Sequence, residues 1–402
     1  MPALSEATKT FAQIGWLSFG GPAGQIALMH RMLVEERGWL TERQFLNALN
    51  FCMLLPGPEA MQLATYAGWK LHGARGGLIA GLLFVAPGAL IILTLSALYA
   101  WFGTLAPVTA LFLGIKAAVL AILAQALFRL SQRALKTPLN WALAAAAFFA
   151  LAILALPFPL IIVGAALAGY FLNAKDKTPP TPIKLNATDL ARTVLIWLSI
   201  WLAPVAALLA ILGPDHVLAE LGLFFSKLAI ITFGGAYAVL TVMAEEAVAQ
   251  GWINPAQMID GLGLAETTPG PLILVTQFVG FLAGYKEMGT IAGGLAGAAI
   301  TLWVTFAPCF LWILAGAPYV EALATRPRLT AALSGITAAV VGVILNLGLW
   351  FAYHTLWMDG LNWKAVALSL IGAVLLFRLN WGIPALLASL ALAGLALSYF
   401  PG

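Results

Sequence analysis

Pro56-Gly57-Pro58 interrupts an apolar stretch near the start of the chain and returns as Pro269-Gly270-Pro271 in the second half. Another pair of breakers, Phe19-Gly20-Gly21, returns as Phe233-Gly234-Gly235, and the spacing from FGG to PGP differs by one residue between the two copies. Helix breakers at matching places in two apolar halves are typical of membrane transporters with a substrate site near the bilayer midplane.

The composition predicts an all-α polytopic membrane protein. Of the 402 residues, 62% are hydrophobic and 9% are charged, whereas soluble domains carry roughly 25% charged residues. The net charge of +4 comes from few charges, so we expect no nucleic-acid partner. Cys52 and Cys309 lie in apolar stretches without metal-ligand spacing, and we expect no disulfide, metal or cofactor.

Runs of about 20 apolar residues predict membrane helices. The clear candidates in the two halves are Gly76–Ala100, Leu105–Phe128, Leu139–Leu156, Pro157–Leu172, Ile291–Leu314, Leu329–Trp350, Trp363–Phe377 and Ile383–Tyr399. A further candidate, Thr193–Leu212, joins the halves after a polar, proline-rich linker. We therefore predict an N-terminal repeat over residues 1–175, a cytoplasmic linker with its connecting helix over 176–216, and a C-terminal repeat over 217–402.

Each half opens with two weaker segments that carry the breakers. They are Thr10–Arg31 and Glu42–Leu71, matched by Phe224–Met243 and Pro255–Tyr285. Irregular backbone survives at membrane depth only where protein or water surrounds it. These segments either cross as broken helices or return as re-entrant hairpins; if all cross, the chain has about 13 membrane segments.

The positive charges predict that the two halves form an inverted-topology repeat. In the first half the basic loop is Arg129–Lys136, while Trp101–Ala106 has no Lys or Arg. In the second half the loop matching Trp101–Ala106 holds Arg326 and Arg328, and the other, His354–Asp359, has neither residue type. Because cytoplasmic loops are enriched in Lys and Arg, the halves are predicted to lie upside down relative to each other.

The breakers predict a binding site for a small anion. A proline or glycine pair should end one half-helix and start another, whose N-terminus points backbone N–H groups and partial positive charge into the break. Polar side chains near the breaks either donate hydrogen bonds to the substrate or satisfy the broken backbone. The candidate substrate-binding residues are Gly20, Gly21, Gly24, Gln25, Asn50, Pro56, Gly57, Pro58, Glu59, Gln62, Lys116, Gly234, Gly235, Thr267, Thr268, Pro269, Gly270 and Pro271.

Lys116 is a candidate because it lies deep inside an apolar run, where a charge is costly and usually functional. It either contacts the anion directly, pairs with a carboxylate such as Glu59, or extends toward an interface. Glu59 and Glu266 flank the two PGP motifs. Either could carry a coupled proton, or Glu59 could complement a helix dipole.

These motifs resemble the chromate ion transporter family in its long, two-domain form. The resemblance is carried by FGGPAGQIALM at Phe19–Met29 and LLPGPEAMQLATYAGW at Leu54–Trp69, with second-half counterparts FGGAYAVL at Phe233–Leu240 and TTPGPLILVTQFVGF at Thr267–Phe281. It covers nearly the whole chain. It implies a multi-pass carrier of the inner (plasma) membrane that exports chromate, with a link to sulfate, a dianion of similar size.

From the residues alone we expect a secondary active transporter and not an enzyme. The chain has no GxxxxGK[ST] nucleotide motif, so the membrane potential or a proton gradient would drive export. It also lacks HExxH and GxSxG. The alternative is a sulfate or other oxyanion importer or exchanger on the same scaffold. The expected partners are a small oxyanion and the lipid bilayer, and a homodimer is left open.

Overall fold

The computed structural model describes residues 2–172, 186–231, 233, 236–320, 327–358 and 360–399, and it folds them into helices. The first half contains α1 Leu4–Leu17, α2 Gly21–His30, a π-helical turn Arg31–Glu36, α3 Glu42–Leu54, α4 Glu59–Phe102, α5 Ala106–Ala134, α6 Pro138–Ala152 and α7 Phe158–Leu172. The predicted all-α membrane class is confirmed.

The second half repeats this order after the connecting helix α8, Ala187–Leu212. It contains α9 Val217–Ile231, α10 Ala236–Ala249, α11 Pro255–Thr267, a 3-10 turn Leu272–Leu274, α12 Val275–Met288, α13 Ile291–Gly316, a 3-10 turn Ala317–Tyr319, α14 Pro327–Leu356, α15 Trp363–Phe377 and α16 Ile383–Ser398. Residues 173–185, around the predicted boundary between the N-terminal repeat and the linker, lie outside the described residues, and the three-part division stays a prediction.

Within the described ranges, five helices are long and apolar enough to cross a bilayer: Glu59–Phe102, Ala106–Ala134, Ala187–Leu212, Ile291–Tyr319 and Arg328–Leu356. Shorter apolar helices accompany them: Pro138–Ala152, Phe158–Leu172, Trp363–Phe377 and Ile383–Ser398. The total of 13 segments and the inverted orientation of the halves stay predictions.

The chain turns back on itself after each PGP motif. In α4 the turn lies at His72 and Gly73, whose φ of +60° is left-handed, and a Cβ on Gly76 would overlap the carbonyl oxygen of Gly68. In the second half a Cβ on Gly284 would come equally close to the carbonyl oxygen of Gly293. The helix that follows each PGP is therefore short, about 20 Å long, and does not span the roughly 30 Å hydrocarbon core by itself.

The two halves exchange helices. α5 packs on α15 and α16 of the second half, while α14, its counterpart, packs on α6 and α7 of the first. The repeated motif explains the closeness: Gly114 of GIKAAV meets the backbone of Leu390, and Gly335 of GITAAV meets the backbone of Ala165. A Cβ at either glycine would overlap a carbonyl oxygen, in keeping with small residues at membrane helix contacts.

Candidate functional site

The first FGG motif meets the second PGP motif inside the molecule. Gly20 and Gly21, with φ of +87° and +70°, form the turn between α1 and α2. The backbone N–H of Gly270 donates to the carbonyl oxygen of Ser18 at 2.9 Å. In return, the Gln25 amide Nε2 donates to the carbonyl oxygen of Gly270 at 2.6 Å. We call this contact the FGG1–PGP2 crossing.

A third element, α4, closes the FGG1–PGP2 crossing. Gly88 packs so tightly against the break that a Cβ there would overlap the carbonyl oxygen of Pro269. The Gln277 amide Nε2 donates to the carbonyl oxygen of the next residue, Ala89, at 3.2 Å. Both halves therefore build this crossing, which places backbone from one half against a break in the other.

The helix starts at the FGG1–PGP2 crossing carry no acid of their own. The first turns of α2 and of the 3-10 turn that leads into α12 contain no Asp or Glu. The buried Gln25 and Gln277 side chains already donate to backbone carbonyl oxygens. Of the two roles expected for polar side chains near the breaks, they therefore fill that of satisfying the broken backbone. A helix start leaves its first backbone N–H groups without an intrahelical partner, and apart from Pro22, which has no N–H, the first residues of these two helices supply such donors, which favour an anion.

The first PGP motif lies next to residues of α9 and α10, the helices on either side of the second FGG motif, and we call this region the PGP1–FGG2 crossing. Gln62 Nε2 donates to the carbonyl oxygen of Pro56 at 2.7 Å. Glu59 is half-buried in the first turn of α4, where its carboxylate complements the helix dipole. Gly234 and Gly235 lie outside the described residues. A small cavity here is lined by Gly57, Pro58, Phe225, Leu228, Ala229, Val239, Ile273, Thr276 and Thr305.

Lys116 is paired with a carboxylate from the other half. Its Nζ lies 3.4 Å from Oδ1 of Asp260 on α11. The hydroxyl of Tyr99 donates to Oδ2 of the same carboxylate at 2.7 Å. The predicted pairing of Lys116 with a carboxylate thus has Asp260, not Glu59, as its partner. Asp260 lies seven helical positions, about 10 Å along the helix axis, before the end of α11 at Thr267, two residues ahead of Pro269.

The remaining candidates lie around the breaks with local partners. The hydroxyls of Thr267 and Thr268 donate to carbonyl oxygens one turn back, those of Leu264 and Ala265, at 2.7 and 3.1 Å. Asn50 is exposed on α3. A Cβ on Gly24 would lie 2.8 Å from the carbonyl oxygen of Phe19, so this glycine tightens the start of α2.

Comparison with known proteins agrees with this geometry. The family model described as "Chromate transporter" matches residues 5–170 and 219–395. The chain belongs to the chromate transporter family. The matched ranges fall in the two repeated halves and omit the linker and the connecting helix α8.

Among the most similar relatives of this family member is the chromate transport protein of Pseudomonas aeruginosa, 34% identical over 83% of this chain and 77% of that protein. The chromate transport protein of Cupriavidus metallidurans is 30% identical over 98% of this chain and 92% of that protein. An uncharacterized transporter of Bacillus subtilis, YwrB, is 30% identical over 43% of this chain but 89% of its own length. No solved structure matches this chain.

Sequence reasoning about this transporter missed Asp260, Tyr99, Ser18 and Gly88. Asp260 had a detectable signal, because it is a carboxylate inside an apolar stretch of α11 and is only 4% exposed. Ser18 acts through its backbone carbonyl and Gly88 through its lack of a side chain. The role of Ser18 leaves no mark in the residue type, and nothing in the sequence separates Gly88 from the other glycines of the chain, 39 in all.

Proposed function

We propose that this protein is a secondary transporter that carries chromate, a small tetrahedral dianion, out of the cell across the inner membrane. Membership of the chromate transporter family and the names of two relatives support chromate as the substrate. The single observation that carries the proposal is the FGG1–PGP2 crossing, where helix starts without acidic residues converge from both halves.

The FGG1–PGP2 crossing is proposed as the main binding position. Gly20, Gly21 and Gly24 let the chain expose backbone N–H groups at the start of α2. Opposite them, Pro269-Gly270-Pro271 separates α11 from the next helix, whose first N–H groups follow Pro271, while the N–H of Gly270 itself is donated to Ser18. The PGP1–FGG2 crossing is proposed as the weaker position because Glu59 already occupies the dipole at its helix start. Lys116 is proposed as a cationic contact on the path between positions.

The driving force follows from charge. Moving negative charge out of a cell that is negative inside is favourable by about 2.3 kcal/mol per charge per 100 mV. Export of a dianion can therefore run on the membrane potential alone or together with a proton. The reciprocal packing of α5 and α14 supports an inverted repeat, in which the two crossings would face opposite sides in turn.

The test is uptake of radiolabelled chromate into everted membrane vesicles, with sulfate as competitor and a protonophore as control. We expect energised uptake that the protonophore abolishes. Gln25→Ala should reduce it at least tenfold because the PGP2 backbone loses its bond to α2. The matched control is Gln250→Ala, an exposed residue bonded to Glu246, which should transport normally. Absence of chromate uptake, or uptake of sulfate alone, would overturn the proposal.

A further inference from the structure

Two residues from the first half hold one buried carboxylate from the second. Asp260 is 4% exposed, receives the Tyr99 hydroxyl on Oδ2 and lies against the Lys116 ammonium on Oδ1. The rings of Phe112 and Phe278 pack edge-on against Tyr99, with centroids 5.1 and 5.2 Å away. The cluster is thus an isolated charge pair within an aromatic surrounding.

Such a pair is stable only as a pair. In an apolar surrounding the removal of one partner leaves the other as an uncompensated charge. If a dianion takes Lys116, the remaining partner of Asp260 is a single tyrosine hydroxyl. Oδ1 accepts no hydrogen bond from the described residues, so it is the oxygen that is free to take a proton. Protonation there would neutralise the Asp260 side chain after Lys116 has turned to the dianion.

We propose that Asp260 is a proton-binding site whose occupancy is linked to oxyanion binding, with Lys116 exchanging Asp260 for the substrate. This inference rests on the proposed function, since it requires an oxyanion that reaches Lys116. The step balances: one proton from solvent forms an O–H bond at Oδ1 of Asp260, Lys116 stays an ammonium ion, and no other covalent bond forms or breaks. Each dianion then moves with one proton, and one net negative charge crosses the membrane.

No other group on the packed elements disturbs this exchange among the described residues. Tyr99 from α4 and Lys116 from α5 are the titratable groups that act on Asp260. On α11 itself, Glu266 accepts a hydrogen bond from Tyr237 of α10 at 2.7 Å. Helix α16 contains no titratable residue. The other titratable residues of α10, α12 and α14 have local roles or lie at helix ends: Glu245, Glu246, Tyr285, Lys286, Glu287, Arg328, Tyr353 and His354.

The test adds chromate to the purified full-length protein, weakly buffered at a pH where chromate is a dianion. Infrared difference spectra should show a new carboxylic-acid C=O band on binding, together with proton uptake from the medium. The Kd read from the amplitude of that band, which reports chromate at Lys116 rather than at the FGG1–PGP2 crossing, should rise on the order of tenfold per pH unit in the wild type. In Asp260→Asn the band and the proton uptake should both be lost.

Glu266→Gln is the matched control, because it removes a second buried carboxylate from the same helix. That carboxylate has the Tyr237 hydroxyl as a partner but no ion-pair partner among the described residues. It should keep the band and the proton uptake. If Asp260→Asn alone does not fold, Lys116→Gln/Asp260→Asn keeps the cluster neutral and should show no proton uptake at any chromate concentration.

The outcomes separate the two proposals. Chromate binding and transport without proton uptake, or proton uptake that survives in Asp260→Asn or disappears in Glu266→Gln, would overturn the role of Asp260 and leave the proposed function standing. Absence of chromate binding and transport in the wild type would overturn the proposed function and this inference with it.

Discussion

At the residue scale, the sequence predicts which side chains are unusual but not what they touch. Lys116 stands out as a charge in an apolar run, yet its partner Asp260 lies 144 positions away on α11. The pairing depends on how α5 packs on α11, which residue types do not encode. Gln25 and Gln62 show the same limit: both roles were open in sequence, and the freed carbonyls of Gly270 and Pro56 select the backbone role.

The Lys116–Asp260 pair gives a residue-scale prediction. Lys116→Ala or Asp260→Ala should each destabilise the protein by about 3–5 kcal/mol, because each leaves one buried charge unpaired. Lys116→Ala/Asp260→Ala should recover most of that stability but not chromate transport. Thermal unfolding in detergent and vesicle uptake measure the two effects. Full transport in the double variant would remove Lys116 from the substrate path.

At the element scale, the breaks were predictable and their partners were not. Proline and glycine pairs mark where helices must end, and the structure ends α3 and α11 at the two PGP motifs. The short helices that follow them were expected to be either crossing or re-entrant. Each of these helices is short because the chain reverses direction at Gly73 or at Gly289. The orientation of the two helices in the membrane stays a prediction.

Close packing of α4 on the second break is testable with two glycine variants. Gly88→Ala places a Cβ onto the carbonyl oxygen of Pro269 and should cost about 1–3 kcal/mol through overpacking, with loss of chromate uptake. Gly164→Ala on α7 has open space around its Cβ and should behave as the wild type. Equal uptake by the two variants would show that the Gly88 contact does not shape the site.

The joint between α2 and α3 gives a pH prediction. His30 contacts Glu42 at 2.6 Å and Glu35 at 3.0 Å, in a connection outside the membrane-spanning helices. The hydrogen bond with Glu42 raises the pKa of His30 above its ordinary value of 6.5. A histidine whose pKa is raised by folding stabilises the folded state at pH values below the pKa of the unfolded chain. That stabilisation is lost as the pH rises through the pKa of the folded state.

His30→Gln should therefore lower the Tm more at about pH 6 than at about pH 9. Thermal unfolding of the purified protein at both pH values measures this difference. In a Glu42→Gln background the pH dependence should largely disappear. A Tm loss that is the same at both pH values would assign His30 a packing role instead.

At the scale of the whole molecule, the repeat predicted two related halves, and the structure adds that they exchange helices. α5 and α14 each pack on helices of the opposite half, so neither half encloses its own core. The Bacillus subtilis relative YwrB, which aligns over 43% of this chain and 89% of its own length, corresponds in length to one such half. This exchange of helices could not be predicted from the sequence. Glycines such as Gly114 and Gly335 indicate that a helix makes a close contact, but they do not indicate which helix is its partner.

The inverted arrangement can be tested by accessibility. On a Cys52→Ala/Cys309→Ala background, Leu105→Cys and Trp357→Cys occupy exposed positions in loops predicted to face the periplasm from opposite halves. Both should react with a membrane-impermeant maleimide in intact cells. Lys136→Cys, in the basic loop, should react only after permeabilisation. Labelling of Trp357→Cys only after permeabilisation would exclude the inverted topology.

The most direct measurement is the position of bound chromate itself. Crystals of the protein soaked in chromate can be measured on both sides of the chromium absorption edge, where a peak that disappears below the edge belongs to chromium and not to the sulfur of methionine or cysteine. We expect that peak at the FGG1–PGP2 crossing, between the start of α2 and Pro269–Pro271. A peak away from both crossings and from Lys116 would contradict the proposal that helix starts at paired breaks form the oxyanion site.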